Sequence, residues 1–339
     1  MSAKRIGLRL LLATVLVLAL AAATGAWWAH RWLDQPMPLK QPTVELSIEP
    51  GTVAREVAQR WVDAGVDVPP EWLYHWFRWS GDARRIRAGS YAIDSKTTPR
   101  LLLQKLVQGD ETMESVRLIE GWTLRQWRQA LARAPYLKPT TATLSEAELM
   151  ALLGAPGQAA EGRFFPDTYR YGRGVSDVTV LRRAFAQMRI KMDSAWAARA
   201  PNLPLKSPDE ALILASIVER ETGRASDRGL IAGVFVNRLR IGMPLQTDPT
   251  VIYGMGERFD GNLRKVDLQT DTPFNTYTRR GLPPTPIAMP GSDALAATLQ
   301  PQATKALYFV ARGDGSSVFS ESLAEHNRAV NRYQRGVQP

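Results

Sequence analysis

From Leu10 to Ala29 the chain runs twenty residues without a charged side chain. As a helix such a run is roughly 30 Å long, the thickness of a bilayer core, so it divides the chain into a short tail, a span and an exported remainder. Lys4, Arg5 and Arg9 precede it with no acidic residue among them. The positive-inside rule therefore makes residues 1–9 a cytoplasmic tail and residues 10–29 a single-pass transmembrane helix, with everything after residue 30 outside. Trp27, Trp28 and Trp32 suit the outer interface. Ala19-Leu20-Ala21 and Ala21-Ala22-Ala23 offer small-residue sites for signal cleavage. The run is nevertheless longer than a usual signal core and ends in an aromatic belt, which favours a retained anchor.

The exported part must stand on its core. There is no cysteine, so a disulfide framework, a thiol nucleophile and Cys-ligated metal are all excluded. His30, His75 and His326 are too few and too scattered for a histidine metal site or a triad, and His326, just inside the helix that Ser322-Leu323-Ala324-Glu325 caps, reads as a helix-surface residue. No metal and no cofactor are expected. Lys and Arg outnumber Asp and Glu, 43 against 33, which suits nucleic acid, anionic lipid or an acidic polymer; export and the lack of a recognised motif make nucleic acid the least suitable.

Residues 30–42 carry three prolines, Pro36, Pro38 and Pro42, and read as a stiff linker lifting the rest off the membrane. Residues 43–110 read as strand, helix, helix, strand: Val44 to Ile48, a helix marked by Val53, Val57, Ala58, Trp61 and Val62, a second over Pro70 to Trp79, and Gly89 to Ile93. This βααβ unit resembles the LysM carbohydrate-binding module. Residues 111–160 form a connecting α/β subdomain, where Val116 to Thr123 repeats the strand-turn-helix opening and Thr140 to Gly157 reads as helical. From residue 161 the texture changes. An aromatic loop, Glu161 to Tyr169, precedes a long helix over Val178 to Arg199, and the chain ends in a hairpin about Arg312-Gly313-Asp314-Gly315 and a last helix. The whole is of the α+β class.

Ser207-Pro208-Asp209-Glu210 is a helix start, with Ser as N-cap, Pro at the first helical position and acids against the positive end of the dipole. The helix runs from about 208 to 222, with Gly223 as the residue to close it. Leu214, Ile217, Val218 and Glu221 share one face at i, i+3, i+4 and i+7, whereas Glu219 points about 200° away from Glu221. Burial and the negative end of the helix dipole both disfavour ionisation of Glu221. A glutamate kept protonated near neutral pH can serve as a general acid. The plain alternative is that both glutamates are solvated and pair with Arg220 and Arg224. A second helix follows, from a Ser226 cap to a Gly242 stop, and then loops dense in amides, hydroxyls and rings: Met243 to Gly256, Pro273 to Thr278 and Gly281 to Ile287. They suit a groove for a neutral sugar polymer.

ASIVERET, VFVNRLRIGMPLQTDPTVIYGMGE, NTYT, GLPP and ALYFVARGDG together resemble the endolytic murein transglycosylases of the MltG (YceG-like) family. The resemblance implies a lysozyme-like α+β catalytic domain over residues 161–339 in a protein of the cell inner membrane whose domain is periplasmic. It implies peptidoglycan as substrate, with a Glu followed by Ser or Thr as catalytic acid; Glu221-Thr222 fits and Glu219-Arg220 does not. It also implies a needed tyrosine in the Asn-x-Tyr loop, here Tyr277. Tyr277, Asn275, Gln246 and Thr247 are candidates for orienting the sugar N-acetyl and the C6 hydroxyl, and Glu219 is a supporting or fallback residue on the substrate-binding side. The reaction implied cuts the MurNAc-GlcNAc β-1,4 bond of nascent strands without water, leaving 1,6-anhydro ends. Asp248 is the loop acid that could instead make a two-carboxylate hydrolase, with helix capping as its plain role. Penicillin-binding proteins of the elongation or division synthase machinery are implied partners. The rival class is a non-enzymatic peptidoglycan-binding scaffold for those synthases.

Overall fold

The computed structural model describes residues 3–335, with side chains from Leu12 onward, so Lys4, Arg5, Arg9 and the first two residues of the expected span lie outside the described side chains. It is of mixed α+β class and falls into two compact units.

The first unit comprises Met1–Glu114 and Tyr171–Gly174. Helix α1 (Ala3–Leu33) contains, from Leu12 to Leu33, a stretch long and apolar enough to cross a membrane, exposed over its most apolar part and packed on the first unit at Trp32. Strand β1 (Thr43–Ile48), α2 (Ala54–Ala64), α3 (Pro70–Trp79), β2 (Gly89–Asp94) and α4 (Pro99–Gln108) follow. β1 and β2 pair antiparallel with Val44 opposite Ile93 and Leu46 opposite Tyr91. The alternation that buries Val44 and Ile48 brings them onto Val57, Trp61, Leu73, Phe77 and Leu102, which form one core.

The expected stiff linker is not a spacer. Met37 is buried and its N–H donates to Thr97 O at 3.0 Å, Lys40 N–H donates to Gly65 O at 2.9 Å, and Asp67 N–H donates to Pro38 O at 2.8 Å. The prolines hold the segment extended, and an extended segment with free carbonyls can dock as well as span.

The second unit comprises Ser115–Arg170 and Val175–Pro339. The division falls within β3 (Met113–Leu118) and β4 (Asp167–Gly172), which pair with each other. Between them lie α5 (Leu124–Arg133) and α6 (Glu146–Leu152); the latter is all that forms of the helix expected over residues 140–157, because its capping box begins only at Ser145. Next come α7 (Asp177–Ala197), α8 (Pro208–Glu221), α9 (Ala225–Arg240), α10 (Asp248–Met255), α11 (Lys265–Gln269) and α12 (Ser292–Leu299). The antiparallel hairpin of β5 (Tyr308–Ala311) and β6 (Ser317–Ser320) and helix α13 (Leu323–Tyr333), with the Ser322-Glu325 capping box, close the chain.

Helix α8 is the centre of this unit. Ala211, Leu212, Leu214, Ala215, Ile217 and Val218 are all buried and meet Met188 of α7, Ile231 and Phe235 of α9, Leu295 of α12, and Leu245 and Ile287 from loops. On α9, a Cβ at Gly233 would stand 2.6 Å from the Gln302 carbonyl, so only glycine lets the 302–304 segment cross there.

Two punctuation marks differ from expectation. Gly223 is outside the left-handed region; the helix ends on Thr222 in extended conformation (φ −146°, ψ 133°), whose hydroxyl accepts from Arg224 N–H at 3.0 Å. Ser226 lies inside α9, whose N-cap is Arg224, and its hydroxyl donates to Asp227. With only Thr222 to Arg224 between α8 and α9, the chain turns on an extended residue in place of a left-handed cap.

Candidate active site

The start of α8 is built as the sequence suggests: Ser207 Oγ accepts from Glu210 N–H, Pro208 fills the first position, and Glu210 accepts from Lys206 N–H. From this fixed end the buried stripe continues to the last residue, Glu221. Its carboxylate accepts a hydrogen bond from the Thr247 hydroxyl, 26 residues along the chain. The side chain is half-buried, and burial pushes its carboxyl up to about 7, with the nearby Asp248 charge adding to the rise; the Thr247 hydrogen bond and the Arg238 charge oppose it. Glu221 is thus poised between acid and base near neutral pH.

Thr247, itself only 2% exposed, is held from several sides. Its N–H donates to Thr276 Oγ1 at 3.1 Å, its carbonyl accepts from Thr250 Oγ1 at 2.8 Å, and the Thr250 and Thr276 hydroxyls bond at 2.9 Å. The preceding Gln246 has φ +49°, a left-handed conformation uncommon for a residue with a Cβ; its N–H donates to Thr276 O at 3.1 Å and its side chain is exposed. Strain at this point is sustained by the bonds on either side of it.

Tyr277 donates its hydroxyl to Asp248 Oδ1 at 2.5 Å, and burial together with that carboxylate holds the phenol above its ordinary value. Asp248 is therefore the acceptor for Tyr277 and makes no capping bond; Thr247 is the N-cap of α10 and caps with no side-chain bond either. Asn275, expected to orient a sugar, is fully buried. Its amide donates to the carbonyls of Thr270 at 2.7 Å and Leu268 at 3.0 Å, and its oxygen accepts from Tyr277 N–H at 2.8 Å. It fixes the loop that presents Tyr277 and has no face left for a ligand. Glu219 is turned away from Glu221, accepting from Gly291 N–H at 2.9 Å, and its carboxyl is raised by burial and by the neighbouring Glu120. The structure thus brings Glu221, Thr247 and Tyr277 with Asp248 into one neighbourhood, with Gln246 at its edge, and leaves Asn275 and Glu219 in supporting positions. Arg220 and Arg224 do not pair with the glutamates; they donate to the carbonyls of Gly121 and Asp314. His326 stacks on the Tyr308 ring at 5.2 Å. Among the described residues no group of three or more His, Asp or Glu could hold a metal ion.

Two further residues shape this region. Arg238 on α9 is 6% exposed. Its guanidinium donates to the carbonyls of Leu307 at 2.6 Å, Leu245 at 2.8 Å and Pro244 at 3.3 Å, reaches Gln246 Oε1 at 3.4 Å, and lies 5.2 Å from the Tyr308 ring centre. It clamps the loop that carries Thr247. Its signal was present: Ile231, Val234, Phe235 and Arg238 stand at i, i+3, i+4 and i+7, which aims the arginine inward.

Glu161 is the other, 4% exposed. Its two oxygens accept from Leu124 N–H, at the start of α5, at 3.0 and 3.2 Å, and the Tyr253 hydroxyl of α10 donates to it at 3.2 Å. Burial pushes this carboxyl up to about 7 as well. A folded-state pKa above the unfolded one contributes stability that is full below about 4.5 and is lost as pH rises to about 7, up to about 3 kcal/mol for Glu161. Thermal unfolding midpoints are expected to fall between pH 5 and pH 8, and Glu161→Gln to flatten that fall by roughly 5 °C; an equally steep fall in the variant would mean that Glu161 ionises normally.

The model of the family described as YceG-like matches residues 46–332. Endolytic murein transglycosylase of Bacillus subtilis (strain 168) is 39% identical over 173 residues, 51% of this chain and 48% of that protein. Endolytic murein transglycosylase of Streptococcus pneumoniae serotype 2 (strain D39 / NCTC 7466) is 27% identical over 352 residues, 92% of this chain and 63% of that protein. The chain thus spans between about half and under two thirds of these relatives' lengths. The crystal structure of a yceG-like protein from Listeria monocytogenes superposes with a TM-score of 0.55 at 27% identity, covering 84% of this chain and 98% of that one.

Proposed function

The chain belongs to the YceG-like family, and from that premise we propose that it is a membrane-anchored endolytic peptidoglycan lytic transglycosylase with Glu221 as its single acid and base. The observation that carries this reading is Glu221 itself: the last residue of a buried helix, bonded to Thr247 and with its carboxyl pushed up to about 7. In the acid form it donates its proton to the oxygen between N-acetylmuramic acid and N-acetylglucosamine as the C1–O bond breaks. The carboxylate left behind takes the proton of the muramyl C6 hydroxyl while that oxygen bonds to C1, closing a 1,6-anhydro ring. No water is consumed, and the enzyme returns to its protonated form.

Thr247 orients the carboxyl. In this reading Tyr277, whose hydroxyl Asp248 holds, steadies the sugar, and Gln246 adds an exposed amide at the same edge. We read the first unit as a LysM-like glycan-binding module, the second as lysozyme-like, and α1 as a single-pass inner-membrane anchor that leaves both units in the periplasm. Strands leaving penicillin-binding synthases are then the substrate within reach.

The test is the product. Purified glycan strands digested by the full chain are expected to yield fragments ending in 1,6-anhydromuramic acid, one water lighter than hydrolysed ends by mass spectrometry. Hydrolysed ends would move the reaction to the two-carboxylate class, and binding without new ends would make the protein a scaffold.

A further inference from the structure

Helix α3 carries two apolar faces. Leu73 and Phe77 enter the core of the first unit. On the outer side Trp72, His75, Trp76 and Trp79 stand at i, i+3, i+4 and i+7, an aromatic stripe a full two turns long. Trp72 is 40% and Trp79 76% exposed. Soluble surfaces carry single exposed apolar residues freely, but an aligned row of indoles marks a contact.

The row runs alongside the end of α1. Trp28 and Trp32 of α1 meet Trp72 edge-on, with ring centres 5.2 and 5.6 Å apart, and His75 stacks on Trp79 at 5.3 Å. Asp34, just past α1, pairs with Arg100 of α4 at 2.8 Å, and the docked residues 37–40 hold the same junction. The end of α1 is therefore fixed to the unit without a flexible hinge. Where α1 leaves the hydrocarbon, α3 must be at the same depth.

We infer that the Trp72, His75, Trp76 and Trp79 face of α3 lies in the outer interfacial layer of the bilayer, so that the first unit rests on the lipid surface. Indole rings favour that layer, where the ring is shielded and the N–H can still find a polar partner, as the Trp76 indole does in donating to Pro99 O at 3.1 Å. The exposed Arg31 and Arg78 beside it suit lipid phosphates. This inference rests on α1 being a membrane span, and the two can be tested apart.

Because the chain has no native cysteine, Trp79→Cys, His75→Cys, Val17→Cys and Lys96→Cys each carry one fluorescent label in the full chain, reconstituted in phosphatidylethanolamine and phosphatidylglycerol vesicles. Lipids brominated near the head group are expected to quench labels at 75 and 79 roughly twofold or more over that at the exposed Lys96 position. Lipids brominated near the chain ends should quench the label at 17, within the span. If position 17 is quenched while 75 and 79 match 96, α1 spans the membrane and the interfacial contact is wrong. If 17 also escapes quenching, the anchor itself fails and the contact with it. Labels at 75 and 79 shielded from both brominated lipid and aqueous iodide would assign the stripe to a second copy of the chain and overturn the inference.

Discussion

Glu221→Gln is expected to cut the release of glycan fragments by about 10³-fold or more while leaving the fold intact, because the amide keeps the shape and can accept from Thr247 but has no proton to give to the leaving oxygen. The loss should appear in kcat, since binding of the strand does not use that proton. Glu219→Gln is the control. Its oxygen can still accept from Gly291 N–H, so its activity should stay within about threefold of the parent. A dead Glu219 variant beside an active Glu221 variant would reverse the assignment within the motif. The pH profile supplies a second reading. With the reactive form protonated and the carboxyl raised to about 7, kcat/KM should fall as pH rises through that value. A profile flat to pH 9 would show that Glu221 does not act as the acid.

Arg238→Met should have the second-largest effect. It leaves the carbonyls of Leu307, Leu245 and Pro244 without their donor in a buried setting, at a cost of about 3 kcal/mol in stability. Because the loop held by those bonds carries Thr247, turnover should fall by about 10- to 100-fold. Arg238 is a positioning residue, and its charge offers a readout that packing alone would not move. The guanidinium holds the Glu221 carboxyl lower than burial would leave it, so Arg238→Met should displace the alkaline limb of the pH profile upward. Arg238→Lys keeps a charge without the fork of donors. It should restore the limb while leaving much of the stability loss, and an unmoved limb in both variants would remove Arg238 from the electrostatics of the site.

What could be read from the residues were features whose cause is local. Pro70 to Trp79 forms as read, and α8 begins at Ser207-Pro208 because the cap and the proline act within one turn. The inward aim of Glu221 follows from the spacing of Leu214, Ile217 and Val218. Features decided by partners far along the chain were out of reach. Asn275 looked like a sugar ligand because a loop amide has free valences in sequence; the fold spends them on Thr270, Leu268 and Tyr277. Glu161 meets Tyr253 across 92 residues and Arg238 meets Leu307 across 69. Gly223 failed as a helix stop because the best cap depends on where the chain must go next, and here α9 begins at once. The docking of residues 34–42 was hidden for a similar reason: proline fixes an extended shape, and only Thr97 and Gly65 determine what that shape lies against.

Mounting the acid on α8 also divides the site by compliance. The helix that ends in Glu221 is gripped along its length by α7, α9 and α12, so the Glu221 carboxyl is stationary in the frame of its unit. The surfaces opposite it are short turns stitched by hydroxyls, and one of them carries a residue in a left-handed conformation. Any adjustment to a ligand at Glu221 must therefore come from the 245–248 and 275–277 turns. In amide exchange these turns should open long before the last turn of α8, a fixed anvil facing a yielding jaw.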